Sequence, residues 1–232
     1  MLRRFLARVI NPVLPALFRW TGMTDPWERI DARFPLRLLG AGARYEFEWY
    51  FEGESTVPTG DLHEIRSWLR GCRYVRDPEL FHEADYWQHP RTFEQLKRGD
   101  CEDFALWAWR KMVEIGMDAD LVIGRCCPPA TPGGGHAWII LRRDGDTHVI
   151  EPVSAGGERW MRPLDEARAE YVPHFGVTPT RERYIFAGWV LDKGAAPAAA
   201  AGRGCGEVLR PSRGAVDRFA TVAGFARLRR EP

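Results

Sequence analysis

Gly99-Asp100-Cys101-Glu102-Asp103-Phe104-Ala105-Leu106-Trp107 opens a helix with a cysteine in its first turn. Asp100 is its capping residue, the apolar positions run on to about Ile115, and Gly116 supplies the residue beyond the C-terminus. A thiol there lies among unpaired N–H groups that stabilise a thiolate, and the cysteine's own N–H can donate to an oxyanion. The flanking acids Asp100, Glu102 and Asp103 oppose that thiolate unless they point elsewhere or bind a cation. Gly135-His136-Ala137-Trp138 follows, with the histidine 35 residues beyond the cysteine at the head of an apolar strand. The strand holds this base in place while the Pro- and Gly-rich run from Pro128 to Gly135 borders it. Fifteen residues further on, Glu151 in Val149-Ile150-Glu151-Pro152 offers a carboxylate to orient the imidazole and stabilise its protonated form. Nucleophile, base and acid in that order are the parts of an acyl-transfer site.

Strand parity makes the arrangement specific. Asp144-Gly145 is a strong two-residue hairpin signal, which pairs Arg143 with Asp146 and, counting outward, sets Trp138 opposite Glu151 and His136 opposite Val153. His136 and Glu151 are then diagonal neighbours on one face, within side-chain reach, and Cys101 is expected on that same face. Gln88 and Trp87, 13 and 14 residues before the cysteine, are candidate oxyanion donors. Trp107, Trp109 and Trp138 read first as core and second as cleft lining.

Asp85-Tyr86-Trp87-Gln88-His89-Pro90, Gly99-Asp100-Cys101-Glu102-Asp103 and His136-Ala137-Trp138 stand where the transglutaminase-like cysteine hydrolases carry their motifs. From about Asp61 to Pro152 the chain most resembles the bacterial transglutaminase-like cysteine proteinases, whose known members trim surface adhesins. The resemblance implies a papain-like/transglutaminase-like core, Cys101 as nucleophile and His136 as base, acting on a protein or peptide substrate. It departs at Glu151, where the family usually has an aspartate, one methylene shorter. Some relatives bind calcium at this acidic stretch, which makes Asp100, Glu102 and Asp103 candidate Ca²⁺ ligands; no other cofactor is implied. The function read from this is a cysteine peptidase or amidase working through a Cys-His-Glu triad and a thioester. Transglutaminase or deamidase acyl transfer, and a non-catalytic binding module on the same scaffold, stay open as alternatives.

With 45% apolar and 12% aromatic residues, 232 residues can bury one substantial core. Residues 1–22 carry four arginines and no acid, and residues 193–232 carry eight bases and three acids, so a net charge of +1 leaves the middle near −8. An acidic body argues against a nucleic-acid groove. The five cysteines, with Cys126 and Cys127 adjacent, suit neither a disulfide framework nor a zinc array and point to a reducing compartment. Arg8, Pro12 and Pro15 interrupt the N-terminal apolar stretch, so it reads as neither a signal peptide nor a span, which favours the cytoplasm over the periplasm. Leu2, Phe5, Leu6, Val9 and Ile10 against Arg3, Arg4 and Arg8 make residues 2–10 a short amphipathic helix for docking on the domain or weak contact with an anionic membrane.

Three parts are expected: a basic N-terminal segment 1–22, a hydrolase domain 23–192, and an Ala/Gly/Arg-rich flexible tail 193–232. Within the domain, the alternation of Tyr45, Phe47, Trp49 and Phe51 with polar neighbours predicts a strand. Helices are expected at Asp61 to Arg70, from Asp77-Pro78, and at about Arg91 to Lys97. Strands are expected at Leu121 to Cys126, His136 to Leu141, His148 to Glu151 and Arg183 to Leu191, for an α+β fold with the cysteine helix on an antiparallel sheet.

Overall fold

Asp100 and Asp103 close a reciprocal cap, each carboxylate receiving the other residue's N–H, and a helix over Cys101–Glu114 starts from it. It stops at Gly116, whose φ of +79° is open to glycine, and the Met117 N–H turns back to the Met112 carbonyl at 2.9 Å. The computed structural model describes residues 24–30, 39, 42–126 and 135–194. The expectations for segment 1–22, for Cys127 and most of the Pro/Gly-rich run, and for the tail beyond 194 lie outside the described residues.

In chain order the elements are β1 (Arg29–Ile30), α1 (Leu62–Leu69), β2 (Arg73–Tyr74), α2 (Asp77–Leu80), α3 (Pro90–Leu96), β3 (Arg98–Gly99) and α4 (Cys101–Glu114). There follow β4 (Asp118–Cys126), β5 (Gly135–Arg143), β6 (Asp146–Ile150), β7 (Met161–Pro163), α5 (Leu164–Ala167), β8 (Tyr171–Val177), β9 (Arg183–Phe186) and α6 (Ala187–Gly194). Seven strands form one sheet in the order β1-β9-β8-β4-β5-β6-β7, antiparallel at every pairing. β2 and β3 form a separate parallel pair just ahead of α4. This is the α+β architecture the sequence predicts, with the cysteine-bearing helix laid on an antiparallel sheet.

α4 is buried from Cys101 through Met112, so it has no solvent face over that length. Trp107 stacks on Trp68 at 3.9 Å and donates to Glu94, and Trp109 donates to the Ala119 carbonyl at 2.8 Å, which makes both tryptophans core residues with satisfied N–H groups. Along β5 the pleat divides the interior in two. Ala137, Ile139 and Leu141 pack with α4, Ile150, Phe175 and Ile185. Trp138 and Ile140 pack on the other side with Val122, Val149, Tyr171 and Phe186.

Two expectations are corrected, and one strand was missed. Phe47–Phe51 is a 3-10 helix rather than a strand: its buried residues, Phe47 and Tyr50, are three apart, and the apparent alternation came from a run with aromatics on every side. The strand expected over Arg183 to Leu191 ends at Phe186, where the Ala187 and Gly188 N–H groups turn to Glu28 and Pro26 carbonyls and α6 begins. β8 was not foreseen, because Pro173 and Gly176 lie inside it; the ladder tolerates the proline through a register shift between Ile123 and Gly124.

Gly124 sits at that shift, paired with His136 on one side and Pro173 on the other. A Cβ on it would run into the Val172 carbonyl oxygen and stand 2.8 Å from the Trp138 ring. Gly124→Ala is expected to destabilise by about 1–3 kcal/mol, the usual cost of forcing volume into a filled site. Urea unfolding measures it, and a midpoint equal to that of the parent would mean the sheet yields there without cost.

Candidate active site

The Asp144-Gly145 turn has both central residues at positive φ, +55° and +85°, and closes Arg143 on Asp146 as expected. The β5–β6 ladder then runs to Ile139↔Ile150, after which Glu151 gives its N–H to the Trp160 carbonyl at 2.8 Å and Pro152 begins a 3-10 turn. The even register brings the Glu151 Oε2 to 2.8 Å from the His136 Nε2, with both side chains almost wholly buried. The imidazole lies roughly parallel to the rings of Trp138 and Tyr171, at 6.0 and 6.4 Å. An ionised carboxylate only accepts, so this contact assigns the proton to Nε2 and leaves a lone pair on Nδ1. The Nδ1 atom is buried and has no hydrogen-bond partner among the described residues.

Cys101 is the first residue of α4 and is 5% exposed. Its thiol donates to the Glu102 Oε2 at 3.0 Å and accepts the backbone N–H of Ala137, the residue after His136. The register explains that open amide: residues 143, 141, 139 and 137 of β5 aim toward β6, and at 137 the partner position falls on Pro152, past the last pair of the ladder. α4 packs on the Ala137 side of β5, the imidazole lies among Trp138 and Tyr171, and the thiol, at the first residue of the helix, meets the strand at the Ala137 backbone.

Burial pushes the Cys101 thiol well above its ordinary pKa, and the negative charges of Glu102 and Asp100 push it the same way. The helix dipole favours the thiolate, but its effect of about 0.3–1 kcal/mol at ordinary termini does not offset loss of water and two adjacent acids. In this arrangement the sulfur holds its proton.

The candidate oxyanion donors are engaged elsewhere. Gln88 gives its backbone N–H to the Asp103 Oδ1 at 2.8 Å and its side-chain amide to Asp103 and to the Arg98 carbonyl. The Trp87 indole donates to Asp85. Both residues act in this structure as struts that tie the segment before α3 to the helix N-terminus.

Asp100, Glu102 and Asp103 are all buried, and the fold adds Asp77 from α2 and Asp85 from the loop after it. Donor atoms of Asp77, Asp85 and Glu102, of Asp77, Asp100 and Asp103, and of Asp100, Cys101 and Glu102 each gather within 4.8 Å. Asp77 Oδ1, Asp85 Oδ2, Asp100 Oδ1 and Gln88 Oε1 are buried acceptors with no donor among the described residues. Burial is the first cause that raises the pKa of every one of the five acids, and their mutual charge adds to it. Acids packed this closely keep protons or take a cation, and an all-oxygen set suits a hard one such as Ca²⁺. Asp103 is the exception within the predicted trio, since both of its oxygens already accept N–H groups from Gln88 and Asp100.

Three contributors were missed in the sequence. Asp77 reads as a helix cap before Pro78, which hid its buried carboxylate, Asp85 joins the cluster only through the fold, and Tyr171 lies beyond the motif-bearing stretch.

No protein-family model matches this chain, and no curated protein does. Among solved structures it is similar to Legionella pneumophila LapG at 19% identity, with a TM-score of 0.43 over 57% of this chain and 71% of that one. Calcium-bound Legionella pneumophila LapG gives 18% identity and a TM-score of 0.42 over 58% and 78%. A TGase gives 17% identity and a TM-score of 0.30 over 47% and 29%. These likenesses are distant.

If Glu102 holds the thiol proton, Glu102→Gln removes a charge that disfavours the thiolate. Iodoacetamide alkylation of Cys101 at mildly alkaline pH, followed by peptide mass spectrometry, is expected to quicken severalfold. An unchanged rate would show that the carboxylate does not govern the sulfur.

Proposed function

We propose that this chain is a cysteine-dependent amide hydrolase, a peptidase or amidase, with Cys101 as nucleophile, His136 as base and Glu151 as the acid that orients it. The reading is carried by the buried contact between Nε2 and the Glu151 carboxylate, which leaves Nδ1 with an open lone pair beside the strand backbone that receives the thiol.

Catalysis begins when the Cys101 proton passes to Nδ1. The thiolate attacks the carbonyl carbon, and collapse of the tetrahedral adduct breaks the C–N bond as the imidazolium protonates the departing amine. The thioester left on Cys101 is cleaved by a water that His136 deprotonates, which releases an acid and restores the thiol. An amine in place of that water would give transamidation. Glu151 stays ionised and holds the imidazolium between the two transfers. The substrate proposed is a protein or peptide.

The acid cluster fits a Ca²⁺ ion held by Asp77, Asp85, Asp100 and Glu102, whose four carboxylates include three buried oxygens without donors. The charge it supplies would offset the two acids that hold the thiol protonated. The thiol's contact with Glu102 is what favours a second reading, a binding module that keeps the scaffold without turnover. Comparing protein fragments released from a proteome by the parent and by Cys101→Ala separates the two: fragments unique to the parent support hydrolysis, and identical sets support the binding module.

On substrates so identified, Cys101→Ala and His136→Ala are each expected to abolish turnover with little loss of stability, and the double variant to be little worse than either. Glu151→Gln is expected to lower kcat strongly, about 10-fold or more, through loss of the imidazolium's counter-charge. Near-parental turnover in His136→Ala would remove the assigned base.

The cation makes a thermal prediction. Burial, with the charges of Asp100 and Asp85, pushes the Asp77 carboxyl from 3.8 up to about 6. The folded state therefore binds this proton more tightly than the unfolded chain, so Asp77 stabilises most below 3.8 and that contribution is lost as pH rises toward about 6. A bound cation replaces the proton. Added CaCl₂ is expected to raise Tm at neutral pH relative to EGTA and to do little at the acid end of that window. Equal melting in calcium and EGTA at neutral pH would remove the cation from the site.

A further inference from the structure

The Glu151 carboxylate has a second partner. The Tyr171 hydroxyl donates to the same Oε2 at 2.9 Å, while Oε1 is buried without a donor among the described residues. Tyr171 opens β8 opposite Cys126 of β4, is 2% exposed, and lies against Trp138 at 4.9 Å, so its ring cannot swing away without opening that core. Its hydroxyl direction is also fixed. The Arg162 guanidinium on β7 lies beside the phenol, and an ionised carboxylate only accepts, so the phenol's hydrogen goes to Glu151. Arg162 in turn is held by a two-point contact with Glu170, at 2.8 and 3.0 Å, and Glu170 also binds Arg159.

We infer that Tyr171 is a positioning residue, which pins the glutamate carboxylate on the imidazole Nε2 and shares the negative charge that His136 sees. The inference rests on the triad reading above and deepens it. A glutamate has one more rotatable bond than an aspartate and loses more freedom when it is held in a single pose. A second donor on the oxygen that meets the imidazole selects that pose, and its proton draws charge away from Nε2.

The groups around the imidazole are Glu151 and Tyr171 on its Nε2 side, with Arg162 and Arg159 behind the phenol and the Trp138 ring alongside. Full-length protein labelled with ¹⁵N-histidine gives the His136 protonation midpoint by NMR in four forms: parent, Tyr171→Phe, Glu151→Gln and the double variant. Phe keeps the ring's volume, and Tm checks that each form is folded. Without the phenol's proton the carboxylate holds the imidazolium more tightly, so Tyr171→Phe is expected to raise the midpoint by about half a unit or more. The same change in the Glu151→Gln background is expected to shift it by nothing, because the effect passes through the carboxylate. An unmoved midpoint in Tyr171→Phe, or an equal shift in both backgrounds, would overturn the role of Tyr171 while leaving the triad intact. A midpoint that Glu151→Gln itself leaves unmoved would overturn the triad contact, and the role of Tyr171 with it.

Discussion

α4 begins inside the protein, and a helix that starts there has N–H groups that no water reaches. Asp103 answers that constraint: its carboxylate takes the Asp100 N–H within the cap and both N–H donors of Gln88 from across the fold. With the helix end fixed, the segment leading into α3 is fixed to it, and the parallel pair β2–β3 closes against the same turn. Gly99 is glycine for this reason, since a Cβ there would overlap the Asp103 carboxylate and stand 2.6 Å from the Gln88 amide. The position of Cys101 follows from these contacts before any chemistry is considered.

The same device creates the site's electrostatic tension. Capping a buried helix needs acids near its first turn, and acids near its first turn raise the thiol's hold on its proton. Asp103 commits both of its oxygens to three N–H donors. Asp100, Glu102, Asp77 and Asp85 have donorless buried oxygens among them, so their charge is what an incoming cation would meet. Capping and thiol activation are thus separate tasks for neighbouring residues.

Local chemistry was legible in the sequence, and non-local packing was not. Asp144-Gly145 can form one tight hairpin, so its register and the His136–Glu151 contact could be counted from it. The cap at Asp100 and the stop at Gly116 are equally local. Tyr171 was not legible, because the strand that carries it contains a proline and depends on a shift in β4 that accommodates it. The face of the sheet that α4 covers was hidden too, since strand parity orders residues within a sheet and says nothing of where a helix packs. Asp77 and Asp85 come together with Asp100 and Glu102 only through the fold.

β5 is a partition with a different tenant on each side. The helical core lies on one side and the core of Trp138 and Tyr171, with the imidazole, on the other, and the Cys101 thiol reaches the backbone between them at Ala137. Substitutions in one core change the surroundings of the imidazole, and substitutions in the other those of the helix that carries the thiol, because the two cores are separate clusters. A lineage carrying this fold can therefore adjust the settings of the two side chains in separate steps.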